Sequence, residues 1–363
     1  MLLESLSAVN FRNLSGDISL DVGLNVLVGE NGQGKTNWLE AISVLASLRS
    51  FRTARLGDTI RFGADQAAVE GSVRESPEIV RELRVALTPT SKTPLVNGKK
   101  ETADRYAGQL YAVVFNSDEL EIVRGTPEAR RRFLDDGIVS LHPPFVQVFA
   151  DYGRVIRQKN ALLQSARDDE WPMAKVTEAL EPWNEQLSRL ATRIHRARVR
   201  YIERLNEVLA KRLFEREELT VAYRSSLEGK GDLSSYEQLI AERLAVRVQA
   251  ELVSGHALIG PHRDDMDLTF DGHDLRKFGS AGQQRSALLL LLLANIAVFR
   301  ATRGEYPLFL LDDIDAELDY ERIGKLLDFL AGKTQTLITT SKDGFVEKFA
   351  ASDRKSTRLN SSH

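Results

Sequence analysis

The sequence contains no cysteine, which excludes disulfide bonds and thiolate metal sites and permits a reducing compartment. No positively charged segment followed by an apolar one opens the chain, so we expect an unsecreted, cytoplasmic protein. The longest apolar run, residues 287–299, is interrupted by Asn295 and is shorter than the ~20 residues that span a bilayer. We therefore expect a soluble protein whose most apolar helix is buried in its core.

A large net charge is also absent, because the 363 residues carry a formal net charge of only −3. Any surface for nucleic acid must therefore be local. Hydrophobic residues make up 42% and charged residues 28% of the chain, which is typical of a globular protein with one large domain or two. The final residues, 351–363, are polar and lack periodicity, so we expect a tail that is disordered or foreign to the native protein.

Strand-like and helix-like patterns divide the rest of the chain into three parts. Residues 1–116 contain short alternating segments and the hairpin signal Asn97-Gly98, which predict part of an α/β core with a β-rich lobe. Residues 117–252 show long three- and four-residue periodicity and predict a helical arm. Residues 253–350 return to strands and short helices. The sequence thus predicts an α/β fold with an inserted helical domain.

A glycine-rich loop follows an apolar strand, residues 24–28, and precedes a helical segment. Glycines let backbone N–H groups converge on phosphate oxygens, and the following helix adds the positive end of its dipole. In such a loop Lys35 reaches the β- and γ-phosphates of ATP, and the Thr36 hydroxyl binds Mg²⁺. A glycine-rich turn without a ligand is the alternative. The predicted ATP-binding residues are Gly29, Glu30, Asn31, Gly32, Gln33, Gly34, Lys35 and Thr36.

A second half of the site is predicted after the apolar run Leu308–Leu311, which is typical of a buried parallel strand. The run ends in Asp312-Asp313, where α/β sheets bind their ligands. We expect Asp312 to hold Mg²⁺ through a water molecule and Asp313 to orient or deprotonate the attacking water. Lys35, Asp312 and Asp313 are then the catalytic residues. The alternative is a strand that ends in an acidic turn.

The segment Ser280-Ala281-Gly282-Gln283 precedes the long apolar helix. Ser280 is a good N-cap, and the backbone at Ala281 and Gly282 can approach an anion closely. A helix cap without further function is the alternative. The segment is similar to the signature motif of ABC-type ATPases, which faces the γ-phosphate held by the opposite protomer. This resemblance implies that Ser280, Ala281, Gly282 and Gln283 cap ATP in trans, and that Asp319 lies at the dimer interface.

Six segments narrow the resemblance to the RecF family of SMC-like ABC ATPases. They are Phe11-Arg12-Asn13, Arg130–Asp135, Arg157–Leu163, Gly260–Asp265, Gly279–Arg285 and Leu311–Asp319. The resemblance runs from residue 1 to about residue 345 and implies an ABC-type head, with a mixed sheet and a β-rich lobe, that carries a helical arm. It also implies ATP-dependent homodimerisation, DNA binding and a nucleoid-associated location. In that family these serve recombinational repair, replication-fork maintenance and the SOS response, with recombinase loaded at single-strand gaps through RecR and RecO.

Three positions depart from the usual ABC pattern. Thr340 or Ser341 stands at the place of the switch histidine that ABC transporter subunits carry, and we assign the switch position to Thr340. Asp313 replaces a glutamate that is common in ABC enzymes, and its shorter side chain positions water less well. Asn116 stands where related heads place a glutamine that contacts ATP. The first two departures lead us to expect slow hydrolysis, so that ATP acts as a switch and the protein is a weak, DNA-stimulated ATPase.

The helical arm contains five arginines spaced by three or four residues, which places them on one stripe of a helix. Such a row can follow a phosphate backbone, single-stranded, duplex or at a junction, without reading bases. The alternative is the solvated flank of an amphipathic helix. The predicted DNA-binding residues are Arg189, Arg193, Arg196, Arg200 and Arg204.

Two other functions stay open at this point. The chain could be the nucleotide-binding subunit of an ABC transporter, against which the missing switch histidine and the long helical insertion argue. It could also be a scaffold that binds ATP and never hydrolyses it, which a measurement of phosphate release would distinguish.

Overall fold

The computed structural model of the chain describes residues 1–211 and 218–342 and the backbone of residues 355–358. The strands are, in chain order, β1 (Leu2–Phe11), β2 (Leu14–Ser19), β3 (Leu24–Val28), β4 (Ala67–Ser76), β5 (Ile79–Leu87), β6 (Lys92–Val96), β7 (Lys99–Lys100), β8 (Ala112–Phe115), β9 (Leu219–Arg224), β10 (Asp265–Phe270), β11 (His273–Asp274), β12 (Leu308–Leu311), β13 (Thr336–Thr340) and β14 (Lys355–Arg358). The α-helices are α1 (Lys35–Ser47), α2 (Ala103–Tyr106), α3 (Glu121–Arg124), α4 (Pro127–Leu141), α5 (Phe145–Asp168), α6 (Met173–Leu209), α7 (Tyr236–Ser254), α8 (Leu275–Phe278), α9 (Ala281–Arg303), α10 (Ile314–Glu317) and α11 (Tyr320–Leu330).

Two compact units divide the chain: a head unit, Met1–Leu120 with Ser280–His363, and an arm unit, Glu121–Gly279. The sequence predicts the first boundary within a few residues. The second predicted boundary, at residue 253, is wrong, because the chain up to Gly279 belongs to the arm unit. The physical reason is strand pairing, since β10 runs antiparallel to β9 along its whole length.

An antiparallel sheet of the head unit has the strand order β2-β1-β4-β5-β6-β7 and forms the predicted β-rich lobe. The predicted hairpin joins β6 to β7. Its central residues, Asn97 and Gly98, have φ values of 49° and 74°. Positive φ at both positions matches the twist of the flanking strands, which is why Asn-Gly favours this turn.

A second sheet of the head unit is parallel, with the order β14-β3-β13-β12-β8. Every residue of β12 and β13 is buried, as expected for central parallel strands. The prediction of a disordered tail is wrong for four residues, since Lys355–Arg358 pair with β3 as β14. The edge of β3 offers backbone donors and acceptors that a polar segment can use equally well. The rest of that tail lies outside the described residues.

Helix α1 packs against both sheets of the head unit. Its apolar face, Trp38, Leu39, Ile42 and Leu45, is buried in a cluster with side chains from β1, β4, β5, β12 and β13. Each such side chain contributes about 1.5–3 kcal/mol by leaving water. The approach is close at Gly71, where a Cβ would lie 2.7 Å from a Leu45 methyl group. The helix that follows the glycine-rich loop is therefore fixed rigidly.

Helix α9 contains the long apolar run and is buried as predicted, with Ala287–Ile296 inside the head unit. By length and hydropathy it is the one helix among the described residues that could cross a membrane. However, 72% of its most apolar 18-residue window is buried within the protein. Its end is fixed by Phe299, whose ring stacks on Tyr111 at 4.7 Å. The helix is therefore part of the core of the head unit.

The arm unit is built on the 37-residue helix α6, which runs through Pro182 and packs between α5 and α7. Asn206 of α6 donates to the carbonyl of Val221 at 2.7 Å and accepts from its N–H at 3.0 Å, which binds the helix to the edge strand β9. A fully buried ion pair, Lys159–Glu251 at 2.7 Å, joins α5 to α7. These contacts make the arm unit a packed domain with its own core.

Buried arginines of the arm unit are paired with aspartates. Arg130 is wholly buried, and its guanidinium donates to both carboxylate oxygens of Asp265 at 2.6 and 3.1 Å. Arg198 donates to both carboxylate oxygens of Asp135 at 2.8 and 2.9 Å. Removing one partner of such a pair leaves the other charge partly uncompensated. The first arginine of the basic run 130–132 is thus part of the fold.

Arg130→Met should destabilise the arm unit by about 3–5 kcal/mol, because it leaves Asp265 without its principal cation. Arg132→Met is the matched control on the same helix, since Arg132 is 57% exposed and 4.0 Å from Glu128. The control should change stability by less than about 1 kcal/mol. Urea unfolding followed by circular dichroism measures both variants, and equal effects would contradict the assignment of Arg130.

Candidate nucleotide-binding site

Four parallel strands of the head unit end at one edge of their sheet. Leu311 of β12 is in register with Ile338 of β13 and Phe115 of β8, and Val28 of β3 is in register with Thr340 of β13. Loops that follow the carboxyl ends of such strands form the ligand sites of α/β proteins. The structure therefore brings together the glycine-rich loop after β3 and the two aspartates after β12.

The Lys35 ammonium lies inside the glycine-rich loop and donates to the carbonyls of Gly29 at 2.7 Å and Glu30 at 2.9 Å. Gly34 has a φ of 93°, in the left-handed region that favours glycine. A Cβ there would also lie only 2.8 Å from Asn13 Oδ1. The conformation of the loop thus depends on its glycine and on its lysine.

A cleft of about 360 Å³ lies beside this loop. Gln33 is not one of its lining residues; its side chain accepts a hydrogen bond from Glu30 N at 2.9 Å and stabilises the turn. The lining residues are Asn31, Gly32, Gly34, Lys35, Thr36, Asn37, Arg52, Ser117, Asp312, Asp313, Glu317 and Thr339.

Two hydroxyl groups from different elements converge on one carboxylate oxygen. Thr36 Oγ1 donates to Asp312 Oδ1 at 2.9 Å, and Thr339 Oγ1 donates to the same oxygen at 2.7 Å. Among the described residues no group of three or more acidic, histidine or cysteine side chains could hold a metal alone. Mg²⁺ is commonly bound by one or two protein oxygens together with phosphates. Thr36 and Asp312 fit that role, and Lys35 with the loop backbone fits a triphosphate.

Asp313 lies at the rim of the cleft with a left-handed backbone, φ 48°. Its N–H donates to Thr339 Oγ1 at 2.8 Å, which fixes the peptide that carries the side chain. Burial, followed by the neighbouring carboxylates Asp315 and Asp312, raises the pKa of Asp313, and Lys35 opposes the rise. A carboxylate with a raised pKa is a stronger proton acceptor. Its position and environment suit the role that the sequence predicts for it.

Two other predicted residues, Thr340 and Asn116, also do not line the cleft. The Thr340 hydroxyl accepts a hydrogen bond from Lys342 N at 3.1 Å, whereas Thr339 lines the cleft and contacts the aspartates. Successive side chains of a strand point to opposite faces, so a one-residue error reverses the face. Asn116 is buried and accepts from Glu119 N at 2.8 Å, which stabilises the turn after β8, and Ser117 lines the cleft instead.

A buried carboxylate, Glu40, is not predicted from the sequence. It lies one helical turn after Thr36 and is fully buried. Arg12 donates to it at 3.0 and 2.8 Å, Ser50 donates at 2.6 Å, and Arg52, which lines the cleft, is 3.5 Å away. The available signal is an acid inside the apolar face of a helix, which requires a cation beside it. Glu40 thus connects the helix of the phosphate loop to the segment 50–61.

The signature segment is exposed at the start of α9. Ser280 Oγ accepts from Gln283 N at 3.3 Å, and Gln283 Oε1 accepts from Ser280 N at 2.9 Å, which forms a capping box. Among the described residues that line the cleft, none belongs to this segment. Asp319, also exposed, caps α11 by accepting from Arg322 N at 2.9 Å. The trans role of Ser280, Ala281, Gly282, Gln283 and Asp319 stays a prediction.

The five arginines of the predicted stripe are all exposed on α6. Arg189 lies 3.6 Å from Glu185, and Arg193 lies over the Phe145 ring at 5.9 Å. Both contacts are at the surface and are therefore weak. The stripe is thus accessible to a ligand along its length, and its role in DNA binding stays a prediction.

The segment Gly260–Asp265 is a structural junction of the arm unit. The fully buried Asp264 accepts from Tyr223 Oη and, at 2.6 Å, from Ser226 N. His262 Nε2 is 3.1 Å from the Ala257 carbonyl and Nδ1 is 2.7 Å from the Tyr152 hydroxyl. Burial lowers the pKa of His262 to about 4, so the ring is neutral and both its nitrogens are used. The polar side chains of this segment therefore serve the packing of the arm unit.

A phosphate loop and an acidic strand end that meet at the carboxyl edge of a parallel sheet define a P-loop ATPase head. The added antiparallel sheet and the inserted helical unit place it in the SMC-like class of ABC ATPases. The family model described as the RecF/RecN/SMC N terminal domain matches residues 2–360. A solved Smc head is similar in fold, with a TM-score of 0.50 at 17% identity.

RecF proteins are more similar to this chain than the Smc head is. The DNA replication and repair protein RecF of Thermosynechococcus vestitus is 40% identical over 372 residues, which cover 99% of this chain and 95% of that protein. RecF of Renibacterium salmoninarum is 36% identical and covers 94% of each chain. A solved structure of the recombination mediator protein RecF with ATP superimposes with a TM-score of 0.86 at 30% identity, covering 94% of this chain and 92% of that one.

This chain belongs to the RecF family of DNA replication and repair proteins. The sequence-based assignment to that family and to the ABC-type head with a helical arm is therefore confirmed. The alternative of a transporter subunit is wrong, because the similarity to RecF extends over nearly the whole chain.

Thr339→Val should lower the rate of ATP hydrolysis about tenfold and change ATP affinity little. The substitution removes the hydroxyl that contacts Asp312 and Asp313 and leaves a carboxylate oxygen with one donor fewer. Thr336→Val at the buried start of the same strand is the matched control and should retain the wild-type rate. Phosphate release under saturating ATP measures both, and a full rate in Thr339→Val would contradict the placement.

Proposed function

We propose that this protein is an ATP-dependent DNA-binding protein of recombinational repair, replication-fork maintenance and the SOS response. ATP binding drives head-to-tail dimerisation on DNA, slow hydrolysis resets the dimer, and the cycle helps to load recombinase at single-strand gaps. The solved structure of a recombination mediator protein RecF in the RecFOR pathway supports RecO and RecR as partners. A cytoplasmic, nucleoid-associated location follows from this function.

One observation carries the proposal: the site is divided within a single chain. Thr36 and Asp312 meet in one cleft, whereas the exposed segment Ser280–Gln283 contributes nothing to its lining. A signature segment that caps the γ-phosphate must then come from a second copy. Since the same surface is used on both copies in exchanged roles, such a dimer closes on itself with twofold symmetry.

Five residues of the cleft have a role in the proposed hydrolysis. Lys35 binds the β- and γ-phosphates, and Thr36 with Asp312 holds Mg²⁺. When bound, Mg²⁺ neutralises charge on the transferring phosphoryl group. Asp313 accepts a proton from the attacking water, and Thr339 holds Asp312 and Asp313 in place. Because the Asp313 side chain is short and lies at the exposed rim of the cleft, we expect hydrolysis to be slow and to be stimulated by DNA.

The divided site predicts two different losses. Lys35→Met should weaken ATP binding by roughly 10- to 100-fold, because it removes a charge-assisted hydrogen bond to phosphate. Ser280→Arg should bind ATP normally and stay monomeric, because the bulky cation occupies the surface that meets the partner. Sedimentation with ATP and with ADP measures the dimer, and equilibrium dialysis measures the nucleotide.

Ser235→Arg is the control, since Ser235 is also an exposed residue at the start of a long helix, α7. It should dimerise like the wild type. If Ser280→Arg dimerises normally as well, the trans cap is wrong. If the wild type dimerises with ATP but releases no phosphate with or without DNA, the protein is the non-hydrolysing scaffold.

The arginine stripe predicts DNA binding that depends on phosphates. Replacing Arg196 and Arg200 by Gln should weaken binding at low salt. The slope of log affinity against log salt should become shallower by about 0.9 for each duplex phosphate that is no longer neutralised. Replacing the exposed Arg132 of α4 by Gln is the control. Fluorescence anisotropy at several salt concentrations measures the slope for single-stranded, duplex and junction DNA, and an unchanged slope would support the solvated-flank interpretation.

A further inference from the structure

The segment Asp312–Glu317, which we call the acid turn, connects β12 to the helix α11 that Asp319 caps. It contains four carboxylates. Asp315 and Glu317 each form an ion pair, and the Asp315 side chain is only 2% exposed, compared with 13% for Glu317. A buried carboxylate among other carboxylates is unfavourable unless a cation is held beside it. The conformation of the acid turn therefore depends on the cation that Asp315 contacts.

That cation is Lys342, which follows β13. Its ammonium lies 3.2 Å from Asp315 Oδ2 and also donates to the backbone carbonyl of Asp315 at 3.3 Å. The backbone N–H of Lys342 donates to Thr340 Oγ1 at 3.1 Å, which fixes the lysine to the end of its strand. The pair thus links the end of β13 to helix α10 through both side-chain and main-chain atoms.

The end of β13 makes a second attachment to the same turn. Thr339 contacts Asp312 Oδ1 and the N–H of Asp313, as described above. The acid turn is therefore held at its start by Thr339 and in its middle by Lys342. Helix α10 is only four residues long and cannot maintain its own conformation, because short helices depend on tertiary contacts. Asp313, between the two attachments, is kept at its left-handed φ of 48°.

The second carboxylate oxygen of Asp315 offers no contact that could replace the ion pair with Lys342. Asp315 Oδ1 has no hydrogen-bond partner among the described residues, so the contacts of Lys342 are not duplicated there. Asp312, Asp313 and Glu317 are close in sequence and repel Asp315 if its charge is not compensated. Loss of Lys342 should therefore let the acid turn rearrange, while the phosphate loop, which contacts neither residue of the pair, keeps its conformation.

We propose that the Lys342–Asp315 ion pair is a positioning contact for ATP hydrolysis, which holds Asp313 at the cleft and Asp319 at the start of α11. This inference rests on the proposed function, since it assigns the pair to the same reaction. Neither residue touches the nucleotide in this scheme, so both act through the acid turn. The effect of losing the pair should fall on turnover and on the dimer contact, and ATP affinity should be retained.

Four variants test the pair: Lys342→Met, Lys342→Arg, Asp315→Asn and the double variant Lys342→Met with Asp315→Asn. Lys342→Met and Asp315→Asn should each lower kcat about fivefold with ATP affinity changed less than about twofold. Lys342→Arg should restore most of the rate. The double variant should be no slower than either single one, because both remove the same interaction. Lys325→Met, which breaks an exposed pair with Glu321 on α11, is the matched control and should retain the wild-type kcat.

Amide hydrogen exchange provides a second measurement that needs no nucleotide. Lys342→Met should speed exchange of the amides of residues 314–319 and leave those of α1 unchanged, with thermal melting confirming that the fold is intact. A wild-type kcat in Lys342→Met, additive losses in the double variant, or unchanged exchange would each overturn the inference. If the wild type hydrolyses no ATP, the proposed function fails instead, and the exchange measurement alone decides whether the pair holds the turn.

Discussion

The hydrogen bonds that Asp312 accepts from Thr36 and Thr339 are the constraint on which the head unit depends. They join the first helix, which begins at residue 35, to two neighbouring strands near the other end of the chain. The position of the phosphate loop depends on the helix that follows it. Helix α1 is fixed between two sheets by apolar side chains and by the close approach at Gly71. Core packing therefore places the helix, and the hydrogen bonds of Asp312 then select one geometry of the cleft.

Glu40 supports the same constraint from the other side of the helix. A fully buried carboxylate is costly unless its oxygens are satisfied, and here Arg12, Ser50 and Arg52 all lie within hydrogen-bond or ion-pair distance. Arg52 also donates to Asn37 at 2.8 Å, beside the phosphate loop. The cation at the cleft wall is thus positioned by an acid that does not line the cleft. Such supporting side chains decide whether a binding loop is held accurately.

Sequence reasoning is sufficient where a physical requirement is local. The glycine loop, the apolar strand before Asp312 and the Asn97-Gly98 turn each follow from a short segment, and the structure forms all three. It is insufficient where the answer depends on a distant partner. The sequence predicts Thr340 at the switch position, whereas Thr339 contacts the aspartates, because the sequence alone does not show which face of β13 meets them. The predicted arm boundary is wrong because β10 finds its partner β9 far along the chain.

The start of α9 is suited to the proposed dimer. The capping box uses the N–H groups of Ser280 and Gln283, and the N–H groups of Ala281 and Gly282 in the first turn have no partner within the helix. Ala281 and Gly282 are exposed, and outside the surrounding turn of the helix no heavy atom lies within 4 Å of where a Cβ on Gly282 would stand. They lie at the positive end of a helix of 23 residues that is buried along most of its length. An anion brought there by a second copy would meet donors that are already oriented, so little ordering would be required to close the dimer.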